Sequence, residues 1–344
     1  MSAITIEGEL VHYEVLGRGR AVILVHGWLG SWRYWMSTMK SLQSKSRVYA
    51  LDLLGFGDSG RNPDRYSVQH QIALLNNFME DLGIQKAALI GHGLGALVAA
   101  EYAYTYAARV PRLLLSNAPL YDPGDLPKRT EAARRASQHR EREVSSAAAR
   151  SDDQDINAPT IMSPGAAMRA ALAEASRARA NGQQTGAEDL PLDPTAAKKV
   201  LPAHNPLGSL LKNNSPEQLL LRCFKRSEEN FAKLSVDVAK TDPTVLPLSV
   251  EHFDSGELLD RVRQLPMPTV VIHGSDDPII PPPEGQLWNY ITADRDQLLA
   301  VPLDGVRHFP MMEDERFLRL TNEFLDAPDV SKLEIKERWR RRTR

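Results

Sequence analysis

The sequence has little that would suit a secreted or membrane-embedded protein. Its 344 residues include a single cysteine, Cys223, which excludes an internal disulfide framework and fits a reducing compartment. No apolar run approaches the ~20 residues that cross a bilayer. The first residues alternate between polar and apolar types and lack the basic and apolar layout of a signal peptide. We therefore expect a cytoplasmic protein with no membrane span.

The sequence also lacks an excess of charge of one sign. A net charge of -2 argues against nucleic acid as a general partner. Basic residues are concentrated in the tail 328–344, a composition that could bind an anionic membrane surface or RNA, and we interpret it as a solvated C-terminal end. Most of the histidines stand without a second histidine at the spacing of a metal site, so we expect no metal and no cofactor.

What the sequence does contain is an alternation of short apolar runs and helical patterns. A continuous apolar run at 21–25 is typical of a strand buried on both faces of a parallel sheet, and strands are also predicted at 110–115 and 269–272. Helical periodicity lies between and after them, at 67–82, 215–231 and 311–325. This alternation predicts an α/β fold, a mostly parallel sheet with helices on both faces.

The domain organisation is predicted from a change in composition. A chain of this length exceeds what one core usually holds. After residue 119 the sequence becomes rich in alanine and arginine, and strand patterns return only near residue 269. We predict a core of 1–119 and 263–327, with an inserted helical cap of 120–262. Within the cap, 145–195 is rich in glycine, glutamine and proline, and we expect it to be partly flexible.

The stretch 86–100, KAALIGHGLGALVAA, organises the rest of the chain. It predicts a short strand, a glycine-rich turn and a helix, with one residue at the apex of the turn above the carboxyl end of the sheet. In the nucleophile elbow G-x-S-x-G the apex residue is a serine. Here Gly91 and Gly95 fit the pattern, and the apex is Gly93.

Four separated motifs resemble those of the α/β-hydrolase superfamily. They are HGWLG at 26–30, DLLGFGDS at 52–59, GHGLG at 91–95, and the pair GSDDPIIPP and GVRHFPMMED near the end. They follow the family's order of nucleophile, acid and histidine across about 20–325. The sequence resembles the capped subgroup of esterases, epoxide hydrolases, dehalogenases and carbon–carbon bond hydrolases.

The resemblance implies a role for particular residues. Gly93 stands at the nucleophile position, Asp277 at the acid position with Asp276 as the weaker alternative, and His308 at the position of the catalytic histidine. An aspartate in this place fixes the imidazole tautomer and stabilises the imidazolium. The backbone N–H groups of Trp28 and Leu94 match the two oxyanion donors. Four further residues are expected to line the pocket: His26, Gly27, Trp32 and Phe309.

Other residues that look reactive in isolation are interpreted as structural. Asp52 and Asp58 belong to a loop whose aspartates brace turns through backbone amides. His92 precedes the apex and is expected to point away from the pocket. Cys223 lies in an apolar helical setting and is expected to be a small buried hydrophobe.

The glycine at the apex leaves three interpretations open, because glycine cannot form a covalent intermediate. In the first, the protein is a pseudoenzyme whose capped pocket binds a small apolar or ester-like ligand. In the second, it is an enzyme that uses His308 and Asp277 as a general base without covalent catalysis. In the third, Gly93 silences a carboxylic-ester-type hydrolase by a single change from serine. The sequence does not indicate an oligomeric state.

Overall fold

The computed structural model describes residues 2–136 and 205–330, together with positions 138 and 333. Contacts divide the chain into two units, and the first consists of Met1–Thr130 and Leu201–Arg344. Of the second unit, Glu131–Val200, only 131–136 and 138 are described.

Two of the sequence predictions fall wholly or mainly on positions that the structure does not describe. The flexible stretch 145–195 lies outside the described residues, and so does most of the basic tail 328–344. The cap boundaries stay a prediction. Within the described residues, no helix is both long enough and apolar enough to cross a bilayer.

A single eight-stranded sheet forms the centre of the first unit, in the order β1-β2-β4-β3-β5-β6-β7-β8. Only the β1–β2 and β2–β4 pairs are antiparallel, and every other pair is parallel. The predicted α/β fold with a mostly parallel sheet is therefore confirmed. The strands are β1 Ser2–Ile6, β2 Glu9–Leu16, β3 Arg20–Val25, β4 Ser46–Leu51, β5 Ala88–His92, β6 Leu113–Ser116, β7 Thr269–Gly274 and β8 Leu298–Leu303.

Helices follow the strands in the chain. The α-helices described from end to end are α1 Met36–Leu42, α2 Val68–Asp81, α3 Leu94–Thr105, α4 Pro206–Asn213, α5 Pro216–Cys223, α6 Glu229–Val238, α7 Val245–Leu248, α8 Ser255–Gln264, α9 Gly285–Thr292, α10 Pro310–Glu313 and α11 Glu315–Asp326. Residues 126–136 are also helical. Ser67 caps α2, because its hydroxyl accepts a hydrogen bond from the N–H of His70. Helix α3 is buried along most of its length and packs against α2 and α8.

The structure divides two segments that the sequence predicts as continuous helices. The predicted helix at 215–231 is split into α5 and α6, and the Glu228 carboxylate accepts a hydrogen bond from Lys225 N–H in the intervening turn. The predicted final helix is interrupted at Asp314, whose carboxylate accepts from the N–H of Arg316. In both places an acidic side chain accepts a hydrogen bond from a backbone N–H that would bond a carbonyl of the preceding turn in a continuous helix. The helix therefore ends there, and a new one begins.

The turn between β5 and α3 depends on glycines that leave no room for a side chain. A Cβ at Gly95 would lie 2.1 Å from the Val25 carbonyl oxygen, and one at Gly91 would lie 2.2 Å from the Gly95 oxygen. Both contacts are with backbone, which cannot rotate away. The amino end of α3 is therefore pressed against the carboxyl end of β3.

We predict that Gly95→Ala lowers the free energy of unfolding by about 3 kcal/mol, because the new methyl group overlaps a backbone carbonyl. Gly285→Ala is the matched control, since no heavy atom lies within 4 Å of the position where its Cβ would be. The control should change stability by less than about 1 kcal/mol. Urea unfolding of the two variants makes the comparison, and equal effects would contradict the steric explanation.

Candidate active site

Gly93 occupies the apex of the turn in a conformation that other residues rarely adopt. Its φ is 54° and its ψ is −113°, and it is the N-cap of α3. Its N–H donates a hydrogen bond of 3.0 Å to the Ser116 carbonyl oxygen at the end of β6. A Cβ here would lie 3.3 Å from Trp28 Cε3, a tight contact that requires a small movement of the indole. The turn thus has the backbone conformation of a nucleophile elbow and carries no side chain.

His308 and Asp277 are hydrogen-bonded to each other. His308 Nδ1 lies 2.8 Å from Asp277 Oδ2, and both side chains are fully buried. Asp276, the weaker alternative, is exposed and accepts a hydrogen bond from the Ser275 hydroxyl. The structure therefore brings Asp277, and not its neighbour, to the imidazole. The roles of the two residues in catalysis stay a prediction.

The Asp277 carboxylate is held by donors from three segments. Its Oδ1 accepts from the backbone N–H groups of Ile279 and Ile280, and its Oδ2 accepts from His308 and from Asn117 Nδ2 at 2.6 Å. Burial alone would raise the pKa of this carboxyl, but the nearby imidazoles of His308 and His273, and these hydrogen bonds, outweigh it. They lower the pKa of Asp277 to about 2. The carboxylate is therefore ionised under all ordinary conditions.

Asn117 is a site residue that sequence reasoning missed. It directly follows β6 and has a positive φ of 47°, which is uncommon outside glycine. The available signal was an asparagine at the end of a buried strand, and this strand is both the one before β7 in the chain and its neighbour in the sheet. Only the pairing of β6 with β7 reveals that its amide reaches Asp277.

The turn after β3 is fixed by side chains on both sides. The His26 ring donates from Nδ1 to the Gly27 oxygen at 2.8 Å and accepts at Nε2 from the N–H of Leu53. Burial lowers the pKa of His26, which keeps the ring neutral and suits this pattern of one donor and one acceptor. The Gly27 oxygen and the Trp28 N–H belong to one planar peptide, so the His26 hydrogen bond also sets the direction of that N–H.

The predicted oxyanion donors are both available. Within the described ranges, neither the Trp28 N–H nor the Leu94 N–H has a hydrogen-bond partner. Leu94 is the first residue of α3, where the helix dipole also favours negative charge. Their use as an oxyanion hole stays a prediction.

His92 connects the two halves of the site. Its Nε2–H donates to the His308 carbonyl oxygen at 2.7 Å, and its Nδ1 accepts from the Tyr34 hydroxyl, which itself accepts from the N–H of Gly27 at 2.6 Å. Burial and the neighbouring His308 lower the pKa of His92 well below its ordinary value. The prediction that His92 is structural is consistent with this neutral, fully bonded ring, and the structure adds that His92 and Tyr34 connect the turn at Gly27 to the His308 loop.

The aromatic residues expected in the pocket have different surroundings. The Trp28 indole is buried and donates from Nε1 to Ser249 Oγ at 2.9 Å. Phe309 is buried among the rings of His92, His308 and Phe224. Trp32 instead contacts the His12 ring and the Arg33 guanidinium. A lining role for these residues stays a prediction.

Two cavities lie elsewhere on the first unit. One of about 350 Å³ runs between α2, α3 and α8, and another of about 520 Å³ lies between α1, α6 and the start of α11. Neither has Gly93, Asp277 or His308 among its described lining residues. Volume alone therefore does not locate the candidate site, which is defined by its hydrogen-bonding groups.

One group of side chains has the composition of a metal site. Ligand atoms of His12, Asp52 and Asp58 lie within 4.8 Å of one another. However, the Asp58 carboxylate already pairs with the cations of Arg33 and Lys240, and Asp52 accepts from His12. These cations oppose a metal ion, and we interpret the group as a brace for the loop. The loop is braced through backbone amides at Asp52, whose carboxylate accepts from the N–H groups of Trp32 and Asp58, whereas the Asp58 carboxylate pairs with the two cationic side chains.

Comparison with known proteins agrees with the fold and the motifs. A family model described as alpha/beta hydrolase fold matches residues 20–314. This match covers most of the chain, which therefore belongs to the α/β-hydrolase family, as its resemblance implied.

Curated relatives match only part of the chain. It is 33% identical over 110 residues to a soluble epoxide hydrolase from Corynebacterium sp., a match that covers 32% of this chain and 38% of that protein. It is 34% identical over 116 residues to the 1-acylglycerol-3-phosphate O-acyltransferase ABHD5 of Homo sapiens, which covers 33% of this chain and 32% of that one. The chain thus spans about a third of the length of the curated relatives it matches.

Solved structures match over nearly the whole chain. A hydrolase from Pseudomonas aeruginosa has a TM-score of 0.59 at 18% identity, with 95% of this chain and 98% of that chain covered. An esterase from Thermogutta terrifontis has a TM-score of 0.58 at 20% identity, with 94% and 97% covered. At these identities the likeness shows the shared fold.

We predict that Asp277 makes stability depend on pH. Its pKa of about 2 in the folded protein lies below its ordinary value of 3.8, which corresponds to about 2 kcal/mol. Because the folded pKa is the lower one, this stabilisation is present above about pH 4 and is lost as the pH falls towards 2. Asp277→Asn should therefore be less stable than the wild type at pH 7, and the difference should shrink on acidification.

Urea unfolding between pH 7 and pH 3 measures this difference. Asp64→Asn, at an exposed aspartate, is the control and should stay close to the wild type throughout. A constant gap between the Asp277→Asn protein and the wild type at every pH would contradict the prediction.

Proposed function

We propose that this protein is a member of the α/β-hydrolase family that binds a small, largely apolar ligand and has no serine-hydrolase activity. The observation that carries the proposal is Gly93, which stands in the elbow with no side chain that could attack a carbonyl. The neighbouring groups support binding at this place. They comprise the N–H groups of Trp28 and Leu94, which have no partner among the described residues, the buried imidazole of His308 and the ring of Phe309.

The retained geometry supports a function for this site. Positive φ at the apex costs a residue with a side chain on the order of 1–3 kcal/mol, and glycine avoids most of that cost. Stability alone therefore favours glycine at position 93. Stability alone does not explain why Asp277 orients the buried imidazole of His308. The Nε2 atom of this imidazole has no hydrogen-bond partner among the described residues.

We predict that Gly93→Ser creates hydrolysis of an activated ester, p-nitrophenyl acetate, which the wild-type protein does not hydrolyse. The serine hydroxyl would add the missing nucleophile to an imidazole that Asp277 already orients. The variant should also lose about 1–3 kcal/mol of stability, because a side chain enters a positive-φ position.

The control is Gly83→Ser. Gly83 also has positive φ, at 66°, but follows α2 and has no heavy atom within 4 Å of a Cβ. It should lose stability without gaining activity. A folded but inactive Gly93→Ser protein would show that the site cannot support acyl transfer. High turnover by this variant would instead favour a serine hydrolase silenced by one substitution, and hydrolysis by the wild type would contradict the proposal.

A second candidate function is base catalysis without a covalent intermediate. The observation that favours it is His308 Nε2, which is buried and unpartnered in the described structure while Nδ1 is bonded to Asp277. This is the arrangement in which an imidazole takes a proton from water or substrate.

The second candidate predicts a slow turnover that depends on His308. Under it, wild-type protein would hydrolyse p-nitrophenyl acetate above the buffer rate, and His308→Ala would reduce that rate by about 10²–10⁴-fold. His252→Ala, at an exposed histidine, is the control and should retain the rate. Equal rates for the wild type and His308→Ala would exclude this candidate.

A further inference from the structure

We propose that the cavity between α1, α6 and the start of α11 is a second ligand site, which takes a small uncharged aromatic molecule. This place is separate from the elbow, so the second site does not depend on the proposed function of the first. Three features of the cavity support it: its volume, the methionines in its lining and the pairing of its charges.

The cavity has the size of a site for a small molecule. Its volume of about 520 Å³ lies within the range of about 300–1,000 Å³ that is typical of such sites. Small-molecule sites are lined by apolar and aromatic side chains together with a few polar groups. The apolar and aromatic residues of the described lining are Tyr34, Met36, Leu234, Met311, Met312 and Leu318.

Tyr34 lies between this cavity and the candidate active site. It is part of the lining of the cavity. Its hydroxyl accepts a hydrogen bond from the N–H of Gly27 and donates one to His92 Nδ1, so this end of the side chain belongs to the network of the candidate site. Gly93 and His308 are not among the described lining residues. A molecule in the cavity would therefore contact Tyr34 without reaching the elbow.

Methionines from two helices favour an aromatic ligand. Met36 begins α1, whereas Met311 and Met312 belong to α10, the short helix after the His308 loop. A methionine side chain has no branch and adapts its shape, and its sulfur makes favourable contacts with the edge of an aromatic ring. These three side chains can therefore adjust around a flat ring and contact its edge through sulfur.

The charges in the lining largely balance one another. The Arg33 guanidinium lies 2.7 Å from a carboxylate oxygen of Asp237, which is almost fully buried. Among the described lining residues, the remaining charged one outside an ion pair is Glu315, which is exposed at the start of α11. The other pairs are Lys233 with Glu229, Glu313 with Arg307, and Asp314 with Arg316.

This pairing indicates that the ligand is uncharged. The buried Asp237 carboxylate already has its cation, and the Arg33 guanidinium already has two carboxylates, those of Asp237 and Asp58. A charged ligand would lose its hydration on entering the cavity and would gain no partner of its own. An uncharged ring avoids that cost.

Three compounds that share a benzyl or phenyl ring test the charge of the ligand on full-length wild-type protein. Benzyl alcohol is uncharged, benzoate is an anion and benzylammonium is a cation. We expect benzyl alcohol to bind at least about tenfold more tightly than either ion, because both ions have to be desolvated without a counter-charge.

Methionine methyl signals locate the binding by NMR titration of protein labelled with ¹³C-methyl methionine. Benzyl alcohol should shift the signals of Met36, Met311 and Met312 through its ring current, and single changes of methionine to leucine assign these signals. The signal of Met267 should stay in place, because this buried residue is not among the described lining residues.

The sulfur contacts are tested by Met36→Leu, which nearly conserves side-chain volume. This variant should weaken benzyl alcohol binding about threefold and leave the binding of its aliphatic counterpart, cyclohexylmethanol, unchanged. Met267→Leu is the matched control and should bind both alcohols like the wild type.

A second variant tests the cavity itself. Leu318→Trp should fill part of the cavity and weaken benzyl alcohol binding at least about tenfold, whereas Leu318→Met conserves the volume and should bind like the wild type. Circular dichroism establishes that each variant is folded. The comparison of the three compounds on wild-type protein does not depend on any variant.

Several results would overturn the inference. One is equal or tighter binding of benzoate or benzylammonium, and another is no binding of benzyl alcohol at millimolar concentration. Shifts of the His308 ring signals without shifts of the three methionine signals would place the compound at the candidate active site instead. An equal effect of Met36→Leu on benzyl alcohol and cyclohexylmethanol would contradict the aromatic class of the ligand.

Discussion

The close approach between the glycine turn and strand β3 is the constraint on which the candidate site depends. The backbone of Gly95 lies so near the Val25 carbonyl that a Cβ would be 2.1 Å from it. This contact brings the first turn of α3 next to the turn that carries Trp28. Trp28 and Leu94, whose backbone amides are the predicted oxyanion donors, therefore lie on adjacent segments, and the apex between β5 and α3 has positive φ.

The network that orients His308 does not involve the side chain at position 93. Asp277 is held by two backbone amides and by Asn117, and the His308 backbone is held by His92. A serine side chain at position 93 would add a hydroxyl beside this network, but none of the hydrogen bonds that hold Asp277 and His308 would depend on it. A glycine at the apex is therefore compatible with the ordered hydrogen bonds around His308, as the proposed binding role requires.

Sequence reasoning predicted the sheet well because its strands are strongly marked. The run at 21–25 corresponds to β3, and the run at 269–272 lies within β7, since both are buried on both faces and consist almost entirely of branched apolar residues. The motif positions Asp277 and His308 were also found, because the family's order of motifs points to them. The helix breaks near Glu228 and Asp314 were missed, since a side chain that caps a helix looks the same in sequence as one that continues it.

Other parts of the site depend on pairing between distant segments, which periodicity does not reveal. Asn117 can be recognised as a partner of Asp277 only when β6 and β7 are known to be neighbours in the sheet. The Tyr34–His92–His308 connection joins three segments whose residues each have an ordinary structural explanation. The same holds for Trp28 and Ser249, which are separated by 221 positions and bonded through the indole N–H.

The pairing of β6 with β7 also has a consequence for biosynthesis. Asn117 and Asp277 are bonded across 160 positions of sequence, so β6 leaves the ribosome long before its neighbour in the sheet. Until β7 is made, the apolar β6 is an open edge with unpaired backbone groups, the kind of edge that associates with other chains. Closing so long a loop is slow compared with forming the local β5–α3 turn. The acid and the histidine therefore join the molecule after the elbow, and a nascent chain interrupted before β7 would carry the elbow with neither of them.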